Sequence, residues 1–386
     1  MRKICVITGS RAEYGLLSGL MAAIKYDNTL QLQIIATNMH LSPEFGYTYR
    51  EIEQDGFVID KKVEMLLSSD SSNGITKSVG LATIGFADAY DDLKPDLIVV
   101  LGDRYEILSA VTAALFYKIP VAHLHGGEIT EGAYDDAIRH AITKMSHLHF
   151  TSTESYRNRV IQLGESPERV FNVGAIGVEN IDKIKLLSKS ELEDSLGFKF
   201  GNKSLLVTFH PVTLEHETAN EECENLLFAL SELENFNIIF TLPNSDTDGR
   251  IIMKLIKDFV SLHNDRSIAF TSLGKVRYLS ALQYVTAVIG NSSSGIIEAP
   301  SFGIPSLNIG DRQKGRIAAE SVIHCETSKN EIKTGIESVL SEKVRTLAKK
   351  TVNPYHKENT TANILKVIKN FPLNKIIQKS FYNIEL

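Results

Sequence analysis

The run at 95–103, PDLIVVLGD, constrains this chain more than any other stretch. Leu97 to Leu101 is apolar without interruption, so this strand has no solvent side. A strand buried on both faces belongs to a parallel sheet covered by helices on each side. Similar short runs recur: KICVIT at 3–8, LQIIAT at 32–37, VAHLH at 121–125, LHFTST at 148–153 and VFNVG at 170–174 in the first half. In the second half they are SLLVTF at 204–209, NIIFTL at 237–242, SIAFTS at 267–272 and the series 285–289. Amphipathic stretches lie between them, and this alternation predicts an α/β chain. With 386 residues it is too long for one such unit, so two doubly wound, Rossmann-like domains are expected. The charged, weakly periodic stretch 175–200 marks the crossing, with a first domain ending at 178 and a second over 179–351. The Ser/Asp/Asn-rich text at 65–76 predicts a loop.

Ligands of doubly wound sheets sit beyond the carboxyl ends of strands, and a cleft between the two domains is the expected site. The stretch 289–316, IGNSSSGIIEAPSFGIPSLNIGDRQKGR, is the strongest candidate. A strand ends at Gly290-Asn291, and Ser292, Ser293 and Ser294 open a helical segment carrying Glu298. Hydroxyls and helix N–H groups would face one point that favours an anion. Glu298 suits the two hydroxyls of a ribose, and Asp311, Arg312, Lys314 and Arg316 bring positive charge back after the next strand. The pattern describes a cradle for a nucleoside diphosphate.

Other candidates follow strands in the same way. Arg11 lies in GSRAEYG, which has neither the dinucleotide fingerprint nor a Walker A loop, so nicotinamide chemistry has no support. Asp103 is either a helix N-cap or a carboxylate in a partly desolvated cleft, with Arg104 beside it for an anionic substrate. His123 and His125 alternate on one strand and could pair on a metal, but no supporting ligand spacing accompanies them, so no metal is expected. Glu128 sits in the Gly-Gly turn, and Asp135 and Asp136 open the helix that carries Arg139 and His140. Acidic groups in one cleft suit proton transfer at carbon and leaving-group departure. His210 and Asn244 end strands of the second half.

A net charge of −6 leaves no nucleic-acid footprint, and no stretch approaches the ~18 apolar residues of a membrane span. Cys5, Cys223 and Cys325 are odd in number and far apart, which predicts buried thiols in a cytoplasmic protein.

Assembled, TGSRAEYG, LGDRYEI, HLHGGEITEGAYDDAIRHAITK, STESYRNRVIQLGE, TFHPVT and the 289–316 stretch resemble the hydrolysing UDP-N-acetylglucosamine 2-epimerases, in particular the bacterial enzymes of sialic acid biosynthesis. The resemblance implies the glycosyltransferase-B architecture, with residues 352–386 returning to the first domain. It implies anti elimination of UDP to 2-acetamidoglucal, then hydration to N-acetylmannosamine, with no cofactor. Asp103, Glu128 and Asp135 would form the acidic set, with His210 near the diphosphate or leaving group. Arg11, Ser292, Ser293, Glu298 and Arg312 match UDP-binding positions. Some relatives have a glutamate just before the Gly-Gly pair, where this chain has His125 and its nearest acid is Glu128. The resemblance also implies a homodimer or homotetramer. The same reaction on a 2,4-diacetamido-6-deoxy sugar, and a glycosyltransferase of the same fold, stay open.

Overall fold

The computed structural model describes residues 1–67, 71–131, 133–212, 219–243 and 249–385. Their strands are β1 (Arg2–Thr8), β2 (Leu30–Thr37), β3 (Lys61–Val63), β4 (Leu97–Leu101), β5 (Val121–Leu124), β6 (Leu148–Thr151) and β7 (Val170–Asn172), then β8 (Ser204–Thr208), β9 (Asn237–Thr241), β10 (Ser267–Phe270), β11 (Ala287–Gly290), β12 (Ser306–Ile309) and β13 (Val322–Cys325). They form two parallel sheets, ordered β3-β2-β1-β4-β5-β6-β7 and β10-β9-β8-β11-β12-β13. Each sheet has a point where the strand order reverses, β1/β4 in the first and β8/β11 in the second.

The chain divides into two compact units. The first holds Met1–Glu128, Asp135–Asn180 and Tyr355–Leu386; the second holds Ile129–Tyr134 and Ile181–Pro354. Both are doubly wound, as the apolar runs predict. Along β4, Leu97 and Val99 enter one core while Ile98 and Val100 enter the core on the opposite face. In β8, Leu205 and Val207 likewise face away from Leu206. Each such side chain contributes roughly 1.5–3 kcal/mol by leaving water.

Local chemistry sets the helix starts. Ser10 caps the helix Arg11–Lys25 by accepting from the Glu13 N–H at 3.3 Å. The stretch expected as a loop to residue 76 instead starts the helix Ser72–Leu93, because Ser71 accepts from the Gly74 N–H at 3.1 Å. A serine-rich loop and a serine cap read alike in sequence. Between 175 and 200 the chain forms two short helices, Ile176–Lys183 and Lys189–Leu196, the latter with a Ser188–Glu191 capping box.

The C-terminal helix Thr360–Asn370 lies in the first unit, where Ile364 and Ile368 join Leu17, Leu20 and Ile24. Beyond it, Lys379 is the anchor. Its Nζ donates to the carbonyls of Lys144 (2.5 Å) and Ser146 (2.7 Å) and to both oxygens of Glu165 (2.9 Å). Glu165 also holds Lys144 at 2.5 Å and His149 at 3.1 Å. Burial opposes ionisation of Glu165, yet His149 and the two lysines bring its carboxyl down to about 2.

Cys5 and Cys223 are buried, Cys325 is partly so, and all three are free thiols. Burial pushes the Cys223 thiol up to about 12. Among the described residues, no helix is long and apolar enough to cross a membrane.

Candidate active site

In the first unit, candidate residues collect at the carboxyl ends of β1, β4 and β5, around the point where the strand order reverses. Gly9 follows β1 and leaves room for Glu106: a Cβ on it would stand 2.3 Å from Glu106 Oε1 and force that side chain to move. Glu13 reaches back to accept the Gly9 N–H at 2.6 Å, and Arg104 Nε donates to Glu106 Oε1 at 2.9 Å. Burial, and then the neighbouring Glu106, push the Glu13 carboxyl up to about 8. Arg11 pairs with Glu51 at 2.6 Å.

That raised value fixes a pH dependence. Folding favours protonated Glu13, so its contribution is complete below about 4.5 and is lost as pH rises through about 8. Glu13→Gln keeps an acceptor for Gly9 and removes the ionisation. The variant should match the parent at pH 5 and exceed it at pH 9 by a few kcal/mol, on the order of 1.4 per unit of separation. Urea unfolding at the two pH values checks this; an equal difference at both would mean Glu13 is ionised inside the fold.

Asp103 follows Gly102, and the helix Tyr105–Tyr117 takes Arg104 as its N-cap, so Asp103 is not the cap. Its Oδ2 instead accepts from Arg139 Nη2. Arg139 is 1% exposed, and its Nη1 donates to the Glu128 carbonyl at 2.8 Å and to Asp136 at 3.2 Å. Arg139 therefore gathers Asp103, Asp136 and the Glu128 backbone. Asp135 lies half-buried in the first turn of the helix Asp135–Met145, whose Asp136 is the acid bonded to Arg139.

The turn after β5 is tightly packed. Gly127 has φ +79°, and a Cβ on it would stand 2.4 Å from the Tyr156 carbonyl. His125 has φ +64°, which breaks the alternation expected for His123 and His125. His123 stays in β5, fully buried, bonded to the Gly102 carbonyl (2.7 Å) and Thr143 (3.2 Å). Burial drives its imidazole down to about 3, so it is neutral and structural. His125 Nδ1 meets Glu128 Oε1 at 2.9 Å, and the Ser152 hydroxyl donates to the same oxygen at 2.8 Å. Among the described residues no group of three His, Cys, Asp or Glu is placed to hold a metal.

In the second unit the site forms at the ends of β8 and β11. Gly290 has φ +131°, and a Cβ there would stand 1.9 Å from the Thr208 carbonyl. This close approach lets Asn291 clamp the His210 backbone, accepting its N–H at 2.7 Å and donating to its carbonyl at 2.8 Å. Arg312 Nη1 and Gln313 Nε2 donate to the Asn291 carbonyl at 3.3 and 3.0 Å. Ser293 precedes the helix Ser294–Ile297, a single turn, without a side-chain capping bond. Glu298 lies just past its end, because Pro300 begins a 3₁₀ segment, Ala299–Phe302. His210, the serine turn, Glu298 and Arg312 thus follow the carboxyl ends of the neighbouring strands β8, β11 and β12. Lys314 pairs with Asp311 at 2.7 Å. The same unit includes Ile129–Tyr134, where the Glu131 N–H donates to the Lys314 carbonyl at 3.2 Å. Asn244 lies outside the described residues.

The family model described as UDP-N-acetylglucosamine 2-epimerase matches residues 22–369. A Campylobacter jejuni protein named GDP/UDP-N,N'-diacetylbacillosamine 2-epimerase (hydrolyzing) is 44% identical over 99% of this chain and 99% of its own. The Escherichia coli polysialic acid biosynthesis protein P7 is 42% identical over 100% of this chain and 98% of its own. Among solved structures, the S. aureus MnaA–UDP co-structure matches with a TM-score of 0.80 at 17% identity, covering 99% of this chain and 100% of that one, which speaks for the fold.

Proposed function

The chain belongs to the UDP-N-acetylglucosamine 2-epimerase family, and we propose that it is a hydrolysing member that releases a free 2-epimeric sugar and UDP. In this reading the C2 proton of the sugar is removed and UDP leaves from C1, giving a 2-acetamidoglucal. Water then adds at C1 while C2 is reprotonated on the opposite face. The observation that carries the proposal is the network around Arg139, which fixes Asp103, Asp136 and the Glu128 turn at the switch point of the first sheet. Proton transfer at carbon requires such preorganised acids and bases.

On the second unit, His210, Ser292, Ser293, Ser294 and Arg312 are assigned to the diphosphate, and Glu298 to the ribose. Arg312, half-buried and anchored to the Asn291 carbonyl, supports this assignment. Arginine and hydroxyl donors held in advance stabilise the charge that develops on a departing diphosphate.

UDP-N-acetylglucosamine is the first substrate assigned, with N-acetylmannosamine for a sialic acid pathway as product. A second reading, UDP-2,4-diacetamido-6-deoxyglucose, is favoured by the 44% identity to the C. jejuni protein. Incubation with each nucleotide sugar, followed by chromatography of UDP and free sugar, separates them. The preferred substrate should release both products in equal amounts. A UDP-sugar that epimerises without releasing UDP would contradict the hydrolytic assignment.

A further inference from the structure

The sequence places Glu128 in an acidic set with Asp103 and Asp135, but its position gives it a different task. It is 2% exposed, and Oε1 is occupied by both His125 Nδ1 and the Ser152 hydroxyl. His125 is 9% exposed, and its Nε2 is buried without a hydrogen-bond partner. A buried ring nitrogen left open is costly unless a ligand meets it. The backbone at His125 is also unusual. A φ of +64° is uncommon for a side chain of this size, and such conformations persist where the surroundings impose them. Here the His125 N–H is fixed to the Phe150 carbonyl at 2.8 Å. The Gly-Gly turn behind it is held by Arg159, donating to the Gly127 carbonyl at 2.6 Å, and by Arg139 on the Glu128 carbonyl.

We propose that His125 Nε2 is the base that takes the sugar's carbon-bound proton, and that Glu128 and Ser152 are its positioning residues. This rests on the epimerase reading above. The neutral imidazole accepts the C2 proton at Nε2. The C2–H electron pair becomes the C1=C2 double bond, and the C1–O bond breaks with its electrons leaving on UDP. The imidazolium formed keeps its Nδ1–H donated to the Glu128 carboxylate. Glu128 therefore fixes the tautomer that leaves a lone pair on Nε2, and it stabilises the charge created by proton transfer. Ser152, at the end of β6, holds the carboxylate oxygen in place. Charged groups held near this turn include Glu128 itself, Arg159 on the helix Glu154–Gln162, and Arg139 with Asp136 on the helix Asp135–Met145, Arg139 being bonded in turn to Asp103 after β4.

The backbone supplies a clean test. Glycine is at ease at φ +64°, so His125→Gly removes the ring without straining the turn. Turnover of the preferred UDP-sugar should fall about 10²–10⁴-fold, with UDP affinity by calorimetry unchanged. Added imidazole should restore part of the rate, which repair of a purely structural role would not do. Glu128→Gln should lower kcat with KM nearly constant. If His125→Gly keeps its rate within about threefold, below the least loss expected of a missing proton-transfer group, the assignment fails while the epimerase reading stands. A loss that imidazole cannot reverse, accompanied by lost UDP affinity, would also overturn it. If the unmutated protein releases UDP from neither nucleotide sugar, the epimerase reading falls and takes this assignment with it.

Discussion

Asp103→Asn should reduce turnover about 10³-fold or more, within the range seen for positioned acid–base groups, while UDP binds as before. Asp103 sits at the end of β4 with its Oδ2 on Arg139. Asparagine keeps the shape and one acceptor, and Asp136 still meets the buried guanidinium at 3.2 Å, so the fold should persist. What disappears is a carboxylate charge at the strand-order switch point. His210, the serine turn, Glu298 and Arg312, assigned to the diphosphate and ribose, belong to the second unit and are untouched. Calorimetry with UDP beside steady-state kinetics gives the split directly. If the variant loses UDP affinity in step with its rate, Asp103 belongs to nucleotide binding.

The second large effect concerns stability. Lys379→Ala should cost about 3 kcal/mol in urea unfolding, the low end of what is lost when one partner of a buried ion pair is removed. Glu165 has 1% side-chain exposure, and Lys379 supplies bonds to both of its oxygens. The same nitrogen ties the C-terminal tail to the carbonyls of Lys144 and Ser146. The effect has a pH signature. Glu165 is depressed from 4.5 to about 2, so its contribution is present above 4.5 and lost as pH falls towards 2. The gap between parent and variant should therefore narrow in acid. A gap of similar size at pH 7 and pH 3 would show that the lysine acts through its carbonyl bonds and packing alone.

The double-sided strands were legible because burial on both faces writes an unbroken apolar run, as at 97–101 and 205–207. The edge strands β3 and β13 were not anticipated: Lys61–Val63 and Val322–Cys325 are short and carry Lys61, Lys62 and His324. The family resemblance was carried by turns at the carboxyl ends of strands, where glycine positions such as Gly290 and Gly127 admit no other residue. Three features of the candidate site left little trace. A left-handed backbone at His125 follows from the packing of the turn, which residue order does not express. Arg139 reads as one more charged helix residue, and only its spacing of three from Asp136 hints at their bond. The helix after the serine turn is one turn long because Pro300 redirects the chain, so Glu298 ends it instead of riding on it.

In the proposed reaction a proton leaves and returns at a sugar carbon while UDP departs. Incubation with UDP-N-acetylglucosamine, and separately with the diacetamido sugar, in D2O followed by proton NMR tests it most directly. The expected products are free UDP and a free 2-epimeric sugar in which the C2 position carries deuterium. A free sugar that keeps its C2 hydrogen, or one that keeps the starting configuration at C2, would contradict it.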